Sequence, residues 1–497
     1  MKLPRAEDRA FFERVSAAVF SNPFGPQRHA IDLQLAEIAG AKPSAVGREA
    51  LLSRVVGRVD ERLHALAEGG SLRLAAWSET ERPLVEQALL FSCFHRFADE
   101  IDVHVAEQIT AGARPVPAGF APTLLRELVH HGMPRPQATR MVAVLFQMRR
   151  AFTFIDRTLT GGSPCMRALR QALWSNVFTH DVGRYDRWLW SRMEDFSTIL
   201  LGGTGTGKGT AAAAIGRAGF IPFDARKGCF VESFTEAFVA VNLSQYPKGL
   251  IESELFGHVK GAFTGAIERY DGALSRCSPH GAIFLDEIGE AETTVQIKLL
   301  RVLQERELVP VGSHQAQRFS GRVIAATNRD LDELRRSGRM RDDFYYRLCS
   351  DVIEVPSLRQ RLREDPDELP RLLEAVLERM LGEPAPTLVD EVVAVIGREL
   401  PRDYPWPGNV RELEQCVRRV LITQRYTGDR TVRVAAGARE RLRRAIDGEE
   451  LSARELLRDY CRMLYERHGT YEEVARRTGL DRRTVKRHVD EAGPAGA

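Results

Sequence analysis

The chain has 497 residues, which is too long for one ordinary hydrophobic core and suggests three domains, with two or four less favoured. Hydrophobic residues make up 43% and charged residues 28%, as in soluble globular proteins, and no apolar run approaches the roughly 20 residues that cross a bilayer. The net charge of +3 is too small to indicate a nucleic-acid partner by itself, and we expect a protein that does not sit in a membrane.

The N-terminal residues and the cysteines indicate a cytoplasmic protein without disulfides. Residues 1–20 mix Arg, Asp and Glu through their apolar positions, whereas a secretory signal needs a continuous apolar stretch. The seven cysteines are scattered and never spaced as CxxC. Neither a disulfide framework nor a zinc site is therefore indicated.

Residues 1–158 are predicted to form a helical regulatory or sensory domain. Apolar residues recur there at helical spacing, as in the sets Leu52, Val55, Val56, Val59, Leu63 and Val144, Leu145, Met148, Phe152, Ile155. The region has neither the acidic cluster of a phosphorylated receiver domain nor an obvious ligand motif. Solvated or core side chains are favoured over a metal site for Cys93, His95, His104, His130 and His131.

Residues 159–425 are predicted to form an α/β domain with a helical lid. Short apolar runs at 197–201, 281–285 and 322–326 alternate with amphipathic stretches up to about residue 355, which predicts a parallel sheet flanked by helices. The pattern is helical again over 356–425. An Arg-rich segment then predicts a linker at 426–451 before a compact helical end at 452–497.

A glycine-rich loop follows the first apolar run and precedes an Ala-rich helical stretch, which is the order that a P-loop needs. Glycines let backbone N–H groups turn toward a phosphate, the helix N-terminus adds partial positive charge, and Lys208 supplies a cation. A Gly-rich surface turn is the less favoured alternative. We expect contacts with ATP from Gly202, Gly203, Thr204, Gly205, Thr206, Gly207, Lys208, Gly209 and Thr210.

Two carboxylates, Asp286 and Glu287, end the apolar run 282–285. Asp286 would orient Mg²⁺ through its water shell, and Glu287 would position and polarise the attacking water. Gly209 stands where many P-loops place a Ser or Thr that helps to hold the ion, so that coordination leans on other residues. An ordinary solvated strand end is the alternative, but after a P-loop the pair favours a hydrolytic site.

Over roughly residues 159–425 the sequence resembles the sigma-54-dependent transcription activators, which are AAA+ ATPases. The string ESELFGH at 252–258 is followed by a match to the GAFTGA loop of this family, in Gly261, Ala262, Phe263, Thr264, Gly265 and Ala266. Glycines let such a loop swing, and its apolar tip is not expected to stay exposed without a partner. The resemblance implies that the tip contacts sigma-54; a buried hairpin turn is the alternative.

The same resemblance implies further roles in ATP hydrolysis. Asn328, after an apolar run, would sense the γ-phosphate, and Asn242 would restrain the catalytic carboxylate by pairing with Glu287. Arg411, in the string WPGNVREL, would be sensor II. It would be held by a helix that Asn409 caps, with Glu412 three residues later completing a capping box.

Arg341 and Arg347, in the segment RDDFYYR, are similar to the arginine fingers that the family supplies to a neighbouring subunit. Such guanidinium groups stabilise charge on the transferred phosphoryl group. The resemblance therefore implies a homo-oligomer, a hexamer when active and a dimer at rest. Surface salt bridges are the alternative for both arginines.

The C-terminal residues resemble the small Fis-like helix-turn-helix of the family. Thr470 and Glu473 have capping-box spacing, Gly479 supplies a turn, and Asp481 is placed to cap a second helix. That helix would present to double-stranded DNA the side chains of Arg482, Arg483, Thr484, Lys486, Arg487 and His488. The alternative is a solvated charged helix. The amphipathic helix before it, with Leu456, Leu457, Tyr460 and Leu464, is a candidate dimer contact.

These residues predict an activator that binds upstream DNA and uses ATP hydrolysis to remodel sigma-54 RNA polymerase holoenzyme into an open complex. Two alternatives are less favoured: a DNA-bound repressor or nucleotide switch without turnover, and an AAA+ remodeller of another client. The sequence departs from the family in the stretch containing 220–234 and in the stretch from 162–166 to the P-loop, which are both longer than usual. These departures leave the adenine contacts unassigned.

Overall fold

The computed structural model describes residues 1–3, 5–38, 48–67, 72–429, 442, 446 and 452–490. The chain divides into two compact units, Met1–Glu368 and Leu369–Ala497. The predicted linker at 426–451 lies almost wholly outside the described residues, as do residues 491–497 of the predicted C-terminal domain. The predicted domain limits at 158 and 425 stay predictions.

Helices fill the described part of the chain before the sheet, as the apolar spacing predicts. They are α1 (Ala6–Phe20), α2 (Pro26–Ile38), α3 (Arg48–Leu66), α4 (Arg82–Arg96), α5 (Ala98–Ala111), α6 (Ala121–His130), α7 (Arg135–Thr158), α8 (Pro164–Phe178) and the single-turn α9 (Val182–Arg184). Helix α3 illustrates the cause. Leu51, Val55, Val59 and Leu63 lie four residues apart and are all buried, which gives α3 one apolar stripe to pack against α4.

The first unit contains a five-stranded sheet in the order β4-β5-β8-β1-β9. Its strands are β1 (Thr198–Leu201), β4 (Phe238–Asn242), β5 (Ala282–Asp286), β8 (Arg322–Thr327) and β9 (Asp351–Glu354), and all neighbours are parallel. Two short antiparallel hairpins join β2 (Phe223–Asp224) to β3 (Cys229–Phe230) and β6 (Glu307–Leu308) to β7 (Gln317–Arg318). The predicted parallel sheet is confirmed, and its strands end at one common edge.

Helices connect these parallel strands, as crossover connections require. They are α10 (Lys208–Gly216), α11 (Lys248–Phe256), α12 (Ala273–Arg276), α13 (Thr293–Glu305), α14 (Leu331–Arg336), α15 (Asp342–Leu348) and α16 (Leu358–Glu364). Helix α10 packs on β5, β8 and β1, and α7 and α8 pack on α10. One hydrophobic core accordingly runs from Phe11 in α1 to Val355 after β9.

The second unit is helical in its described residues. It contains almost all of α17 (Glu368–Leu381), then α18 (Pro386–Glu399), α19 (Asn409–Thr423), α20 (Ala453–His468), α21 (Tyr471–Thr478) and α22 (Arg482–Asp490). The last three helices share a small core of Cys461, Leu464, Val474 and Val485. Across the described residues, no helix is both long and apolar enough to span a membrane.

Candidate ATP site and sigma-54 interaction domain

The glycine-rich loop runs from the end of β1 to the start of α10. Lys208 is the first residue of α10, and its Nζ donates to the carbonyl oxygens of Gly202 at 2.8 Å and Gly203 at 3.1 Å. Gly207 caps the helix with a φ of 102°, a backbone conformation that favours glycine. The loop therefore has the strand, turn and helix that a phosphate cradle requires, with the lysine folded against its carbonyl groups.

Two acids stand at the carboxyl end of β5. Asn242 is paired in register with Asp286 across β4 and β5, and its Nδ2 donates to Asp286 Oδ2 at 3.4 Å. The expected pairing of Asn242 with Glu287 is therefore wrong, because the strand register places the asparagine opposite the aspartate. The backbone N–H of Glu287 also donates to Asp286 Oδ1, at 3.1 Å.

Glu287 has a strained backbone. Its φ of 56° lies in the left-handed region, where a non-glycine residue costs on the order of 1 kcal/mol or more. Such conformations concentrate at functional sites because the surrounding fold has to hold them. Asp286 and Glu287 are both half-buried at the strand end.

Asn328 joins a third strand to the glycine-rich loop. It follows β8, which lies between β5 and β1, and its Nδ2 donates to Thr204 Oγ1 at 3.1 Å. The structure therefore brings Asn328, Asp286 and the loop to neighbouring strand ends. In open parallel sheets, ligands bind at this edge.

The hexapeptide at 261–266 forms an exposed loop on a narrow stem. The stem is closed by mutual backbone hydrogen bonds between His258 and Tyr270, and within the loop the Gly261 N–H donates to the Ala266 carbonyl at 2.8 Å. Thr264 is exposed, and the Phe263 side chain is 39% exposed. The buried-turn alternative is therefore wrong.

Ile267, directly after the hexapeptide, was missed as a candidate contact residue. It is 77% exposed, which is more than any other large apolar residue of this loop. An isoleucine after a polar and glycine-rich segment is the only sequence signal for it. Phe263 packs its ring edge-on against His258, with 4.9 Å between ring centroids, so that the loop tip rests on its own stem.

Arg341 and Arg347 are both bound within their own chain. Arg341 makes a two-pronged contact with the Asp343 carboxylate at 3.0 and 2.7 Å, and the Arg347 guanidinium donates twice to the Leu303 carbonyl, at 3.0 and 2.9 Å. In a single subunit Arg341 therefore forms a surface salt bridge, as the alternative to an arginine finger predicts. Between them Tyr346 is 70% exposed, and no pattern in the sequence predicts this exposure.

The longer stretch at 220–234 is a structured part of the core. It forms the β2–β3 hairpin, in which Phe230 stacks on Phe146 of α7 with 4.1 Å between ring centroids. The Gly228 carbonyl accepts from the N–H of Ala118 at 2.9 Å. The longer stretch after 162–166 is also structured, because it contains α8, which packs on α10.

Residues 189–354 match the Sigma-54 interaction domain family. Over this range the chain is similar to that domain. The resemblance to the sigma-54-dependent AAA+ activators is thereby confirmed. The matched range contains the glycine-rich loop, the two acids at the end of β5, the hexapeptide, Asn328 and the two arginines Arg341 and Arg347.

Regulators of transcription are similar to the region around this domain. The Nif-specific regulatory protein of Azotobacter vinelandii is 43% identical over 54% of this chain and 44% of its own length. The transcriptional regulatory protein ZraR of Salmonella typhimurium is 37% identical over 59% of this chain and 62% of its own length. The DNA-binding transcriptional regulator NtrC of Azospirillum brasilense is 40% identical over 47% of this chain and 45% of its own length. The matches to these relatives thus span between 44% and 62% of their lengths.

Arg411 lies outside the sigma-54 interaction domain, in the second unit, and its side chain is exposed on the first turn of α19. The expectation that Asn409 caps this helix is wrong, because the N-cap is Gly408 and Asn409 has a φ of 52°. Glu412 does reach back, accepting from the Gly408 N–H at 2.8 Å and from the Tyr404 hydroxyl at 2.5 Å. Burial, together with this carboxylate, raises the pKa of the Tyr404 hydroxyl above its usual range.

The C-terminal helices confirm one predicted cap and correct another. Asp481 Oδ1 accepts from the N–H groups of Arg483 at 2.9 Å and Thr484 at 3.0 Å, so that it caps α22. Thr470 precedes α21 but makes no side-chain cap bond. The turn between the two helices is at Gly479, which has a φ of 70°.

One predicted DNA-contact residue is not displayed on α22. His488 is only 6% exposed, because it lies one turn after Val485 and shares the buried face of the helix. Thr484 is half-buried, whereas four basic side chains are exposed, those of Arg482, Arg483, Lys486 and Arg487. Arg482 also pairs with Glu472 at 3.0 Å. The exposed face of α22 is therefore basic, without the histidine.

Proposed function

We propose that the chain is an ATP-driven transcription activator that remodels sigma-54 RNA polymerase holoenzyme into an open complex. The observation that carries the proposal is the exposed hexapeptide loop within a sigma-54 interaction domain that also contains a phosphate loop and a strand-end acid pair. The relatives are regulators of transcription, which supports the same conclusion. An activator of this kind acts in the cytoplasm, where the polymerase is.

ATP hydrolysis follows from the roles that the residues at the sheet edge can take. Lys208 and the loop N–H groups would hold the phosphates, with Asn328 beside them, and Glu287 would orient the attacking water. The half-buried Asp286 carboxylate, next to the loop, fits the oxygen chemistry of Mg²⁺ and would hold the ion through water. When bound, Mg²⁺ neutralises charge on the phosphates.

We assign Arg341 and Arg347 to the site of a neighbouring subunit, which makes the active form a ring, a hexamer by the family resemblance. Arg341 would have to exchange the exposed Asp343 carboxylate for a phosphate. Exposed ion pairs contribute little to stability, so that this exchange costs little. The sensor II role of Arg411, on α19, stays a proposal from the family resemblance.

DNA binding is assigned to α21 and α22. Their arrangement, with a glycine turn and a basic second helix, fits a helix-turn-helix that places α22 in the major groove. The exposed fractions of Leu456 (38%) and Tyr460 (39%) on α20 fit a dimer contact that would pair two such units on a palindromic site.

The proposed ATPase is tested by turnover and by nucleotide binding with the full chain. Wild type is expected to hydrolyse ATP in the presence of Mg²⁺, and turnover is expected to rise steeply with protein concentration as rings form. Lys208→Ala should abolish ATP binding, measured with a fluorescent ATP analogue. ATP affinity of Lys208→Ala equal to that of wild type would contradict the assignment of the loop. A repressor or switch, the alternative, would bind ATP and show no turnover.

A further inference from the structure

Helix α7 of the N-terminal helical region contacts the end of α10 that is opposite to Lys208. Gln147 Nε2 donates to the Ala218 carbonyl at 2.9 Å, and the Arg150 guanidinium donates to the Gly219 carbonyl. Both acceptors directly follow the helix, whose C-cap is Arg217. Gln147 and Arg150 are 1% and 0% exposed, so that these contacts are shielded from water.

Arg150 is held in the core in a costly way. Two of its guanidinium nitrogens, Nε and Nη1, are buried and have no hydrogen-bond partner among the described residues. The rings of Phe146 and Phe234 lie 4.6 and 5.2 Å from the guanidinium carbon, and burial lowers the pKa of Arg150 to about 9. The side chain therefore stays cationic at neutral pH. A buried cation with one strong acceptor is costly to the fold because most of its lost contacts with water are not replaced.

The contact acts at the negative end of the helix dipole. A cation and hydrogen-bond donors at a helix C-terminus satisfy carbonyl groups that have no partner within the helix. Helix α10 has nine residues and is roughly 13 Å long, so that one short helix joins the contacts after its carboxyl-terminal end to Lys208. A shift at Gly219 would therefore be passed along this helix to Lys208 and the glycine loop.

The second contact, Gln147, is itself held in place. The Tyr185 hydroxyl donates to Gln147 Oε1 at 2.8 Å, and Tyr185 is fully buried. The β2–β3 hairpin and the residues after it also pack on α7, since Phe230 and Phe234 contact Phe146. The end of α10 is consequently bound to α7 by buried side chains that have further contacts of their own.

We propose that Gln147 and Arg150 are positioning residues for the ATP site: by fixing the carboxyl-terminal end of α10, they couple the arrangement of the N-terminal helices to ATP binding at Lys208. The proposal rests on the proposed ATP binding. Coupling of two sites is reciprocal, so that ATP should stabilise α7 as much as α7 stabilises the ATP site.

The test replaces one arginine of α7 at a time by methionine. Arg150→Met removes the charge and the donor to Gly219 while keeping an unbranched side chain of similar reach. Arg149→Met is the matched control, because Arg149 lies next to it on α7 but pairs with Asp102 of α5, at 2.8 and 2.6 Å. Arg150→Lys keeps the charge. Gln147→Leu keeps Arg150 and removes the neutral hydrogen bonds with Ala218 and Tyr185, so that it serves where Arg150→Met does not fold.

Three quantities are measured on the full chain: affinity for a fluorescent ATP analogue, melting temperature, and amide hydrogen exchange of 146–155 with and without ATP. We expect Arg150→Met to weaken ATP affinity about tenfold, a usual size for coupling between sites, with partial rescue in Arg150→Lys. Gln147→Leu should weaken it less, and Arg149→Met should not change it even where its melting temperature falls. ATP should slow exchange of 146–155 in wild type and in Arg149→Met, but not in Arg150→Met.

Equal ATP affinity in wild type, Arg150→Met and Gln147→Leu would overturn the proposal, and so would equal losses in Arg149→Met and Arg150→Met. Both outcomes leave the proposed ATPase intact, because wild type still binds ATP. If instead wild type binds ATP no better than Lys208→Ala does, the ATP site itself is misassigned, and the coupling is refuted with it.

Discussion

The two acids that end β5 are adjacent in sequence but differently held. Asp286 accepts hydrogen bonds from the side chain of Asn242 and from the backbone of Glu287, which fixes its carboxylate at the strand end. Glu287 is turned away from the strand direction by its left-handed backbone. This difference suits two roles, a fixed acid that holds a hydrated ion and a second acid that faces a water molecule.

Glu287→Gln is expected to stop ATP turnover and to preserve ATP binding. Loss of a general base lowers kcat by roughly 100-fold to 10,000-fold, whereas a glutamine of equal size leaves the phosphate contacts in place. The measurement is kcat for ATP hydrolysis together with the Kd of a fluorescent ATP analogue. Glu290→Gln, which alters an exposed acid three residues further on that pairs with Arg329, is the control and should leave kcat unchanged. Equal turnover in both variants would contradict the role of Glu287.

At the scale of elements, the β2–β3 hairpin joins regions that are distant in sequence. Phe230 is 3% exposed and stacks on Phe146 of α7, in the continuous core that also contains residues of α10. A hairpin with two-residue strands is only marginally stable by itself, so that packing on α7 has to hold it. Removal of the N-terminal helices would consequently expose Phe223, Phe230 and Phe234.

Phe230→Ala is expected to destabilise the chain by about 3–5 kcal/mol, because it removes a buried ring and leaves a cavity against Phe146. Val231→Ala is the matched control, since the neighbouring valine is 48% exposed, and its effect should stay within about 0.5 kcal/mol. Chemical denaturation followed by tryptophan fluorescence measures both. A loss below 1 kcal/mol for Phe230→Ala would show that the hairpin is not part of the core.

Lys486→Ala, on the exposed face of α22, is expected to weaken DNA binding to all sequences alike. Removal of one phosphate contact should reduce the slope of log K against log salt concentration by about 1. Fluorescence anisotropy with a labelled duplex at several salt concentrations measures this slope. Arg462→Ala on α20, which pairs with Glu466 at 3.3 Å, serves as the control for loss of one positive charge. An unchanged slope in Lys486→Ala would place the DNA contact elsewhere.

Elements set by local chemistry could be predicted from the sequence, and partners set by the fold could not. The glycine-rich loop, the strand before Asp286 and the cap at Asp481 depend on residues within a few positions, and each lies where predicted. The partner of Asn242 depends on the register of two strands 44 residues apart, which no local pattern encodes.

Two further differences arise from backbone geometry and helical phase. The capping pattern places the cap at Asn409, but the helix already begins there, one residue earlier than that pattern indicates, with Gly408 as the cap and a left-handed backbone at Asn409. His488 falls on the inner face of α22 because it follows Val485 by three residues. The basic residues alone do not indicate which face of the helix each one occupies.

For the whole molecule, the account requires that one subunit completes the site of another. Subunits mixed from two inactive variants test this. Arg341→Ala keeps its own phosphate loop, and Lys208→Ala keeps its own finger arginines. Mixed oligomers should therefore recover ATP turnover, where each variant alone has almost none, and the recovery should peak at intermediate mixing ratios. No recovery, in oligomers shown to contain both subunits, would contradict a finger that acts between subunits.

The most direct test of the central claim is open-complex formation by sigma-54 RNA polymerase on supercoiled promoter DNA, with the full chain and either ATP or a non-hydrolysable analogue. The account predicts opening with ATP and none with the analogue. Thr264→Ala, at the exposed tip of the hexapeptide loop, should hydrolyse ATP normally and fail to open the promoter. Normal opening by Thr264→Ala, or no opening by wild-type chain that hydrolyses ATP under the same conditions, would contradict the account.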